Sequence, residues 1–350
     1  MNAIPKNILV IRMSAMGDVA LTVPVLLALV QQHPEVKITV LSKPFMQPIF
    51  SNIPNVTFLG ADTSKKYKGI LGIFKLFWHL KLQNFEAIAD LHNVLRSKIL
   101  RFLFLFFSFK NIKIAKIDKG RAEKKALTAP KNKIIKPLKH TTKRYAEVFE
   151  TLGFSIHLAA ETVKNKEVLN EHILKITQEK NRQWIGVAPF AQYSSKIYPE
   201  KLLLEVLSEI HRQKNVKIFL FGGGSKEIEI LENWVKTHPF LTIIAGKLSF
   251  SDELSLISNL DVMLSMDSGN GHLAAMFGVP VLTVWGGTHP FLGFTPYNQP
   301  IENQMLPSLI DYPLLPLSVY GNKTLEGYET VMESISTEKI TQQLLKILEK

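Results

Sequence analysis

The feature that most constrains the fold is a strand, loop, helix and strand within residues 262–285. The apolar runs at 262–264 and 281–285 predict buried strands. Between them, Asp267-Ser268-Gly269 has the composition of a turn that leads into a helix, predicted at 272–277 and ended by a glycine and a proline. Two buried strands joined through a helix pair in parallel, so this stretch predicts a parallel α/β sheet.

The same alternation runs through most of the chain. Strands are predicted at 7–11, 37–41, 56–59, 87–91 and 112–115, and a second series at 184–188, 216–221, 242–244, 262–264 and 281–285, with helices between them. A polar, lysine-rich stretch at 165–182 separates the two series and predicts the domain boundary. We therefore expect an α/β protein with an N-terminal domain at 1–170, a C-terminal domain at 171–330 and a last helix within 331–350.

Composition limits the class of protein. With 350 residues and 46% hydrophobic content the chain can bury two cores. It has no cysteine, which excludes disulfides and thiolate metal sites and fits a cytoplasmic location. The first residues lead directly into a strand, so no signal peptide is predicted. The longest apolar run, 99–109, contains Arg101 and is too short to span a bilayer.

One segment makes the protein basic. Residues 96–144 hold sixteen lysines and arginines against two acids, a local net charge of +14, so the rest of the chain carries −2 of the total +12. This favours a local anionic partner. The segment lacks aromatic residues interleaved on a sheet face, so nucleic-acid binding is not predicted.

Polar loops follow several predicted strands, where parallel sheets bind ligands. Asp18 ends the small-residue loop 12–18 and is either the cap of the next helix or a functional carboxylate. Lys196 lies in the loop 191–200. It is either a solvated surface side chain or a contact to phosphate.

Two more loops suit a diphosphate. Gly222 and Gly223 follow a strand but lack the full dinucleotide-binding spacing, so NAD binding is not predicted, and Glu227 either reaches a nucleotide or is a first-turn acid. The glycines after Asp267 allow an anion to approach free N–H groups, although an ordinary strand-to-helix turn explains the pattern as well.

Within that last loop, the residues have different expected roles. A carboxylate repels a diphosphate, so Asp267 is expected to orient the loop by accepting its N–H groups, while Ser268 and Gly269 face the phosphates. His272 either contacts phosphate or ribose or is structural. No second histidine or carboxylate lies at metal-binding spacing, so no metal site is predicted.

The stretch Asp-Ser-Gly-x-x-His followed by Ala-Ala-x-x-Gly-Val-Pro resembles the nucleotide-sugar signature of glycosyltransferase family 9, the heptosyltransferases of lipopolysaccharide assembly. The resemblance implies that Asp18, in the matching loop 14–18, is the catalytic base. It implies that Lys196, before an aromatic-Pro-Glu sequence, meets the donor phosphates; Tyr198 stands where the family often has tryptophan. Further residues would line the acceptor side: Ser14, Asp90, His92, Asn93 and Arg96, with a helix cap as the alternative for Asn93.

The resemblance also implies the architecture and the activity. The architecture is GT-B, two Rossmann-like domains facing across a cleft, the first for the acceptor and the second for the nucleotide sugar, with the last helix returning to the first. The activity is inverting, metal-independent transfer of heptose from ADP-heptose to a lipopolysaccharide inner-core acceptor, with no cofactor besides the donor. One alternative is a family member that uses another nucleotide sugar or acceptor. The other is a catalytically idle GT-B binding protein, and the presence of both Asp18 and Lys196 argues against it.

The basic segment adds an expected location. We expect a cytoplasmic enzyme held peripherally on the anionic inner-membrane surface by lysines that include Lys124, Lys125, Lys131 and Lys133. The neighbouring apolar run, 102–107, is expected to be buried in the core.

Overall fold

The computed structural model describes residues 4–107 and 111–349. The chain divides into two compact units, Met1–Lys119 with Thr141–Lys164, and Gly120–His140 with Asn165–Lys350. By this division the segment 120–140, which the sequence places in the first domain, belongs to the second unit. The later division at 164/165 lies close to the expected boundary. Residues 108–110 of the basic segment lie outside the described residues.

Each unit contains a parallel sheet, as predicted. The strands are β1 (Asn7–Ile11), β2 (Lys37–Ser42), β3 (Val56–Gly60), β4 (Ala87–Asp90), β5 (Lys113–Lys116), β6 (Gln183–Ala188), β7 (Val216–Leu220), β8 (Leu241–Ile243), β9 (Val262–Met266), β10 (Val281–Val284) and β11 (Gln304–Met305). The first sheet has the order β3-β2-β1-β4-β5 and the second the order β11-β10-β9-β6-β7-β8. Central strands such as β1 and β9 are almost wholly buried because helices cover both faces of a parallel sheet.

Helices alternate with these strands. They are α1 (Met16–Ala20), α2 (Val23–Gln32), α3 (Gly69–Lys81), α4 (Leu95–Phe107), α5 (Arg121–Leu127), α6 (Thr141–Thr151), α7 (Glu171–Thr177), α8 (Glu200–Gln213), α9 (Ser225–Thr237), α10 (Phe250–Ser258), α11 (Gly269–Ala275) and α12 (Thr337–Leu348). Two helices, α1 and α2, connect β1 to β2, and Pro24 lies in the first turn of α2, where its missing N–H costs no hydrogen bond.

The C-terminal helix α12 lies in the second unit. Its buried residues Ile340 and Leu344 belong to the core that β6, β7 and β9 share, and the helix packs along α8. The expected return of this helix to the first unit stays a prediction.

The apolar run in α4 is only partly buried, which corrects the prediction that it lies in the core. Leu103 and Phe104 are each 2% exposed, whereas Phe102 and Phe106 are 54% and 67% exposed. A helix on a sheet buries one side only, so consecutive apolar residues cannot all face inward. Among the described residues, no helix is long and apolar enough to cross a membrane.

Candidate active site

In the first unit, a small-residue loop leads from β1 into α1 and carries Asp18. The carboxylate accepts a hydrogen bond from the Ala15 N–H at 3.4 Å and forms an ion pair with Arg12. Asp18 therefore does cap its helix. Its side chain nevertheless remains 37% exposed, so one carboxylate can both hold the loop and meet a ligand.

Arg12 holds the Asp18 carboxylate in position through this ion pair. Arg12 is 6% exposed, and its Nη1 donates to the Leu91 carbonyl at 2.7 Å, which joins the ends of β1 and β4. Its guanidinium lies 5.8 Å from the centre of the Tyr145 ring, and the Tyr145 hydroxyl donates to the Asp18 carbonyl at 3.2 Å. Burial raises the pKa of Tyr145, so this hydroxyl keeps its proton and stays a donor.

The turn after β4 is held by Asp90. This carboxylate is fully buried and accepts from the N–H groups of His92 at 3.0 Å and Asn93 at 2.8 Å. Its Oδ2 lies 2.9 Å from Nε of Arg101. The Asn93 amide donates to the Ile117 carbonyl at 3.0 Å instead of capping α4. Asp90 and Asn93 thus shape the turn, and their polar groups are directed into the protein.

His92 connects this turn to the Asp18 loop. Its Nε2 lies 3.3 Å from the Ser14 hydroxyl. Burial and the nearby charges of Arg12, Lys119 and Arg96 lower the pKa of His92 to about 3, against a smaller opposing effect of Asp18. The imidazole is therefore neutral at physiological pH. Of the residues predicted to face an acceptor, Ser14 and His92 lie beside the Arg12–Asp18 pair, and Arg96 is close enough to His92 to affect its pKa.

In the second unit, three strand ends bring together Lys196, Asp267 and Thr288. Lys196 Nζ lies 3.0 Å from Asp267 Oδ2, and the Thr288 hydroxyl donates to the same oxygen at 2.8 Å. The two charged side chains are only 12% and 6% exposed. Asp267 was expected to accept N–H groups of its own loop; instead it binds side chains from loops that follow β6 and β10.

Backbone packs tightly around Lys196. Gly321 has a φ of +80°, and a Cβ there would lie 2.6 Å from Cδ of Lys196, so only glycine fits. The Ser195 hydroxyl donates to the Gly321 carbonyl at 2.6 Å, and the Ser195 carbonyl accepts from the Gly287 N–H at 2.8 Å. The lysine is thereby held at the sheet edge.

The loop after Asp267 begins α11. Ser268 is the N-cap, with its hydroxyl 3.2 Å from that of Ser265, and Gly269 is the first helical residue. His272 is 8% exposed, and this burial favours the structural role.

The glycine loop after β7 is closed by Glu227. The Gly223 N–H donates to Glu227 Oε2 at 2.7 Å, and a Cβ at Gly222 would approach the same oxygen to 3.1 Å. The carboxylate thus binds the turn at the start of α9, which is the contact expected of a first-turn acid.

The lysines expected at a membrane have unlike surroundings. Lys133 Nζ donates to the carbonyls of Pro316 at 2.9 Å and Leu314 at 2.5 Å, and burial lowers the pKa of Lys133. Lys124 Nζ lies 5.4 Å from the centre of the Phe294 ring. Lys125 and Lys131 are exposed. The Lys133 ammonium thus binds carbonyls of its own unit, which does not favour the membrane contact expected of it.

Sequence reasoning missed Arg12, Tyr145, Thr288 and Gly321. A charged residue directly after the apolar strand 7–11 is a usable signal for Arg12, and the glycine pair before Thr288 marks a strand end. Tyr145 and Gly321 lie more than a hundred residues from their partners, and no local pattern indicates those contacts. No group of three His, Cys, Asp or Glu side chains suited to a metal occurs in the part of the chain that the structure describes.

Two parallel α/β units, with a carboxylate at a strand end in one and a lysine held at the sheet edge in the other, are the features expected of the GT-B architecture. The family model described as glycosyltransferase family 9 (heptosyltransferase) matches residues 73–312, and the chain belongs to this family. The fold prediction and the prediction of a glycosyltransferase are thus confirmed.

Individual relatives agree with this assignment. The chain is 26% identical over 303 residues to the lipopolysaccharide core heptosyltransferase OpsX of Haemophilus influenzae, covering 84% of this chain and 82% of that one. Among solved structures, a glycosyl transferase family 9 protein from Veillonella parvula has a TM-score of 0.73 at 19% identity, covering 98% and 97% of the two chains. E. coli heptosyltransferase WaaC with ADP-2-deoxy-2-fluoro heptose has a TM-score of 0.66 at 18% identity, covering 97% and 99%. These structures share the fold.

Proposed function

We propose that this protein transfers heptose from ADP-heptose to a lipopolysaccharide inner-core acceptor, with inversion and without a metal ion. The observation that carries the proposal is the Lys196–Asp267 pair, a nearly buried ammonium held at the carboxyl edge of the second sheet. The names of the relatives support the donor and acceptor, since one acts on the lipopolysaccharide core and another was solved with an ADP-heptose analogue.

The donor half of the reaction needs positive charge at the diphosphate. Lys196 has three N–H donors, of which Asp267 takes one, and the others would meet phosphate oxygens. Asp267 and Thr288 fix the position of the ammonium, so it is in place as negative charge grows on the departing ADP. The N–H groups at Ser268 and Gly269 would supply neutral contacts, whereas in the glycine loop at Gly222 and Gly223 the Gly223 N–H is already bound by the Glu227 carboxylate.

The acceptor half needs a base. As the acceptor oxygen attacks the anomeric carbon, its proton passes to the Asp18 carboxylate, and the bond to ADP breaks on the opposite side of the sugar. This single displacement inverts the anomeric centre. Arg12 orients Asp18, while Ser14, neutral His92 and Arg96 would bind hydroxyl and phosphate groups of the acceptor.

The location follows from the acceptor. A lipopolysaccharide precursor is lipid-linked, so the enzyme would work on the cytoplasmic side of the inner membrane, attached peripherally. Anionic lipid headgroups would attract its basic surface.

The test is incubation with ADP-heptose and a core acceptor that lacks heptose. A product heavier by one heptose, with the anomeric configuration opposite to that of the donor by NMR, supports the proposal. Transfer only from a different nucleotide sugar would reassign the donor, retention would exclude the single displacement, and donor binding without turnover would indicate an idle binding protein.

A further inference from the structure

An apolar face on the first unit has no role in the proposed chemistry. It is formed by the outer sides of α3 and α4, and we call it the α3–α4 face. Side chains 40% to 85% exposed cover it, among them Leu71, Phe74, Trp78, Phe102, Leu105 and Phe106. Apolar patches of this kind on soluble proteins mark interaction sites.

The two helices form one surface. Their inner sides pack in a shared core, and Phe77, which is 1% exposed, lies between the exposed rings of both helices. Its ring centre is 5.4 Å from that of Trp78 on α3 and 6.4 Å from that of Phe107 on α4. The helices are therefore already anchored by their inner residues, and the outer ones are free to meet a partner.

The charge around this face is mostly positive, although Glu86 and Asp90 lie between the two ranges that follow. Residues 63–85 and 91–117 together hold eleven lysines and arginines and no acid. Lys65, Lys66 and Lys68 are exposed just before α3, and Lys75 and Lys98 are exposed on the two helices. Lys81 Nζ lies 4.6 Å from the centre of the Trp78 ring. A second copy of the chain would set cations against cations, so self-association through this face is disfavoured.

Lipid fits both properties at once. Long lysine side chains beside exposed aromatic rings can reach headgroup phosphates while the rings enter the acyl boundary. Each helix has thirteen residues, too few to span a bilayer, so the helices would lie in the interface.

We infer that the α3–α4 face docks the first unit on an anionic lipid surface. The inference rests on the proposed membrane-linked acceptor and assigns the attachment to α3 and α4, not to the lysine segment 120–140, of which Lys133 points into the protein. Because α4 begins at Leu95, two residues after the turn that carries His92 and Asn93, docking would bring the acceptor loop close to the membrane.

Tryptophan fluorescence can test this surface directly. The chain has four tryptophans; Trp78 is 57% exposed, while Trp184, Trp234 and Trp285 are 0%, 3% and 0% exposed. With vesicles of phosphatidylglycerol the emission should shift to the blue and be quenched by brominated lipid, and vesicles of phosphatidylcholine should have little effect. Trp78→Phe should remove both signals and keep vesicle binding.

Two variants test the binding itself. The triple variant Trp78→Gln, Phe102→Gln and Phe106→Gln should bind phosphatidylglycerol vesicles at least ~10-fold more weakly in flotation assays, since three exposed apolar side chains no longer enter the lipid. A second triple variant, Lys65→Gln, Lys66→Gln and Lys68→Gln, should weaken binding and reduce its salt dependence.

Matched controls lie in the second unit. Ile310→Gln with Tyr320→Gln replaces side chains that are 91% and 68% exposed, and Lys125→Gln with Lys131→Gln removes two exposed cations. Both should bind vesicles as the wild type does.

Several results would overturn the inference: wild-type protein that fails to float with phosphatidylglycerol, an apolar triple variant that binds normally, or a wild-type dimer that this variant dissociates. Transfer to a delipidated core oligosaccharide separates the two proposals. It should be unchanged in the apolar triple variant, and its absence in the wild type would count against the transferase while leaving the vesicle result to stand by itself.

Discussion

Replacement of Asp18 separates its two possible roles. Asp18→Asn keeps an oxygen that can accept from the Ala15 N–H but cannot take a proton, whereas Asp18→Ala removes both functions. If Asp18 is the base, kcat should fall by ~10²- to 10⁴-fold in Asp18→Asn, which is about 3–5 kcal/mol of transition-state stabilisation.

The structure also sets the expected cost in stability. Arg12 is 6% exposed and loses an ionic partner, but it keeps its bond to the Leu91 carbonyl. Because Asp18 itself is 37% exposed, solvent screens the pair, and we expect a loss of about 1 kcal/mol, not the 3–5 kcal/mol of a fully buried pair. The folded fraction should thus be nearly unchanged at the assay temperature.

The assay measures ADP release at saturating donor and acceptor, with donor affinity measured by calorimetry in the absence of acceptor. Asp18→Asn should lose turnover and keep the donor Kd. Near-wild-type kcat in Asp18→Asn, together with a lowered Tm only in Asp18→Ala, would show that Asp18 is a helix cap and refute its role as base.

Three further predictions concern the second unit. Lys196→Ala should weaken ADP binding by ~10- to 100-fold and adenosine binding much less, because the lost contact is to phosphate and Asp267 is left uncompensated. The control is Lys226→Ala, which replaces an exposed lysine on α9. Equal losses for both ligands would indicate a collapsed loop. Added EDTA should leave turnover unchanged. A strong requirement for magnesium would contradict the proposal that Lys196, without a metal ion, supplies the positive charge at the diphosphate. Burial raises the pKa of Glu253 to about 7, so the folded state retains a proton that the unfolded state loses, and stability falls as the pH rises from about 4.5 to about 7. Glu253→Gln should therefore raise the free energy of unfolding, measured by denaturant titration, by about 1–3 kcal/mol near pH 8 and have little effect near pH 4. Equal effects at the two pH values would show that the raised pKa of Glu253 is not the cause.

Much of the fold could be predicted because buried parallel strands are continuous apolar runs. β1 was predicted at its observed bounds, and β6 and β9 within two residues. β11 was missed, since two residues, one of them Gln304, give no periodic signal. The exposure of Phe102 and Phe106 was missed because sequence alone does not tell which side of an apolar helix meets the sheet.

The site was predictable residue by residue but not contact by contact. Asp18, Lys196 and Asp267 each follow a predicted strand, so their place at a carboxyl edge could be expected. Lys196 and Asp267 lie 71 residues apart in the chain and can bind each other only because β6 and β9 are neighbours in the sheet. No local sequence pattern encodes that adjacency.

The division of the chain has a consequence for synthesis and for engineering. The polypeptide passes between the units at 119/120, 140/141 and 164/165, so neither unit is one continuous stretch. During translation, residues 120–140 emerge long before the carbonyls of Leu314 and Pro316, which receive the Lys133 ammonium, and before Phe291, whose carbonyl accepts from the Leu138 N–H. A chimera made by a single cut at 164/165 would combine residues 165–350 of one family member with residues 120–140 of another. These two segments bind each other, so an exchange of the donor-side unit has to include 120–140 together with 165–350.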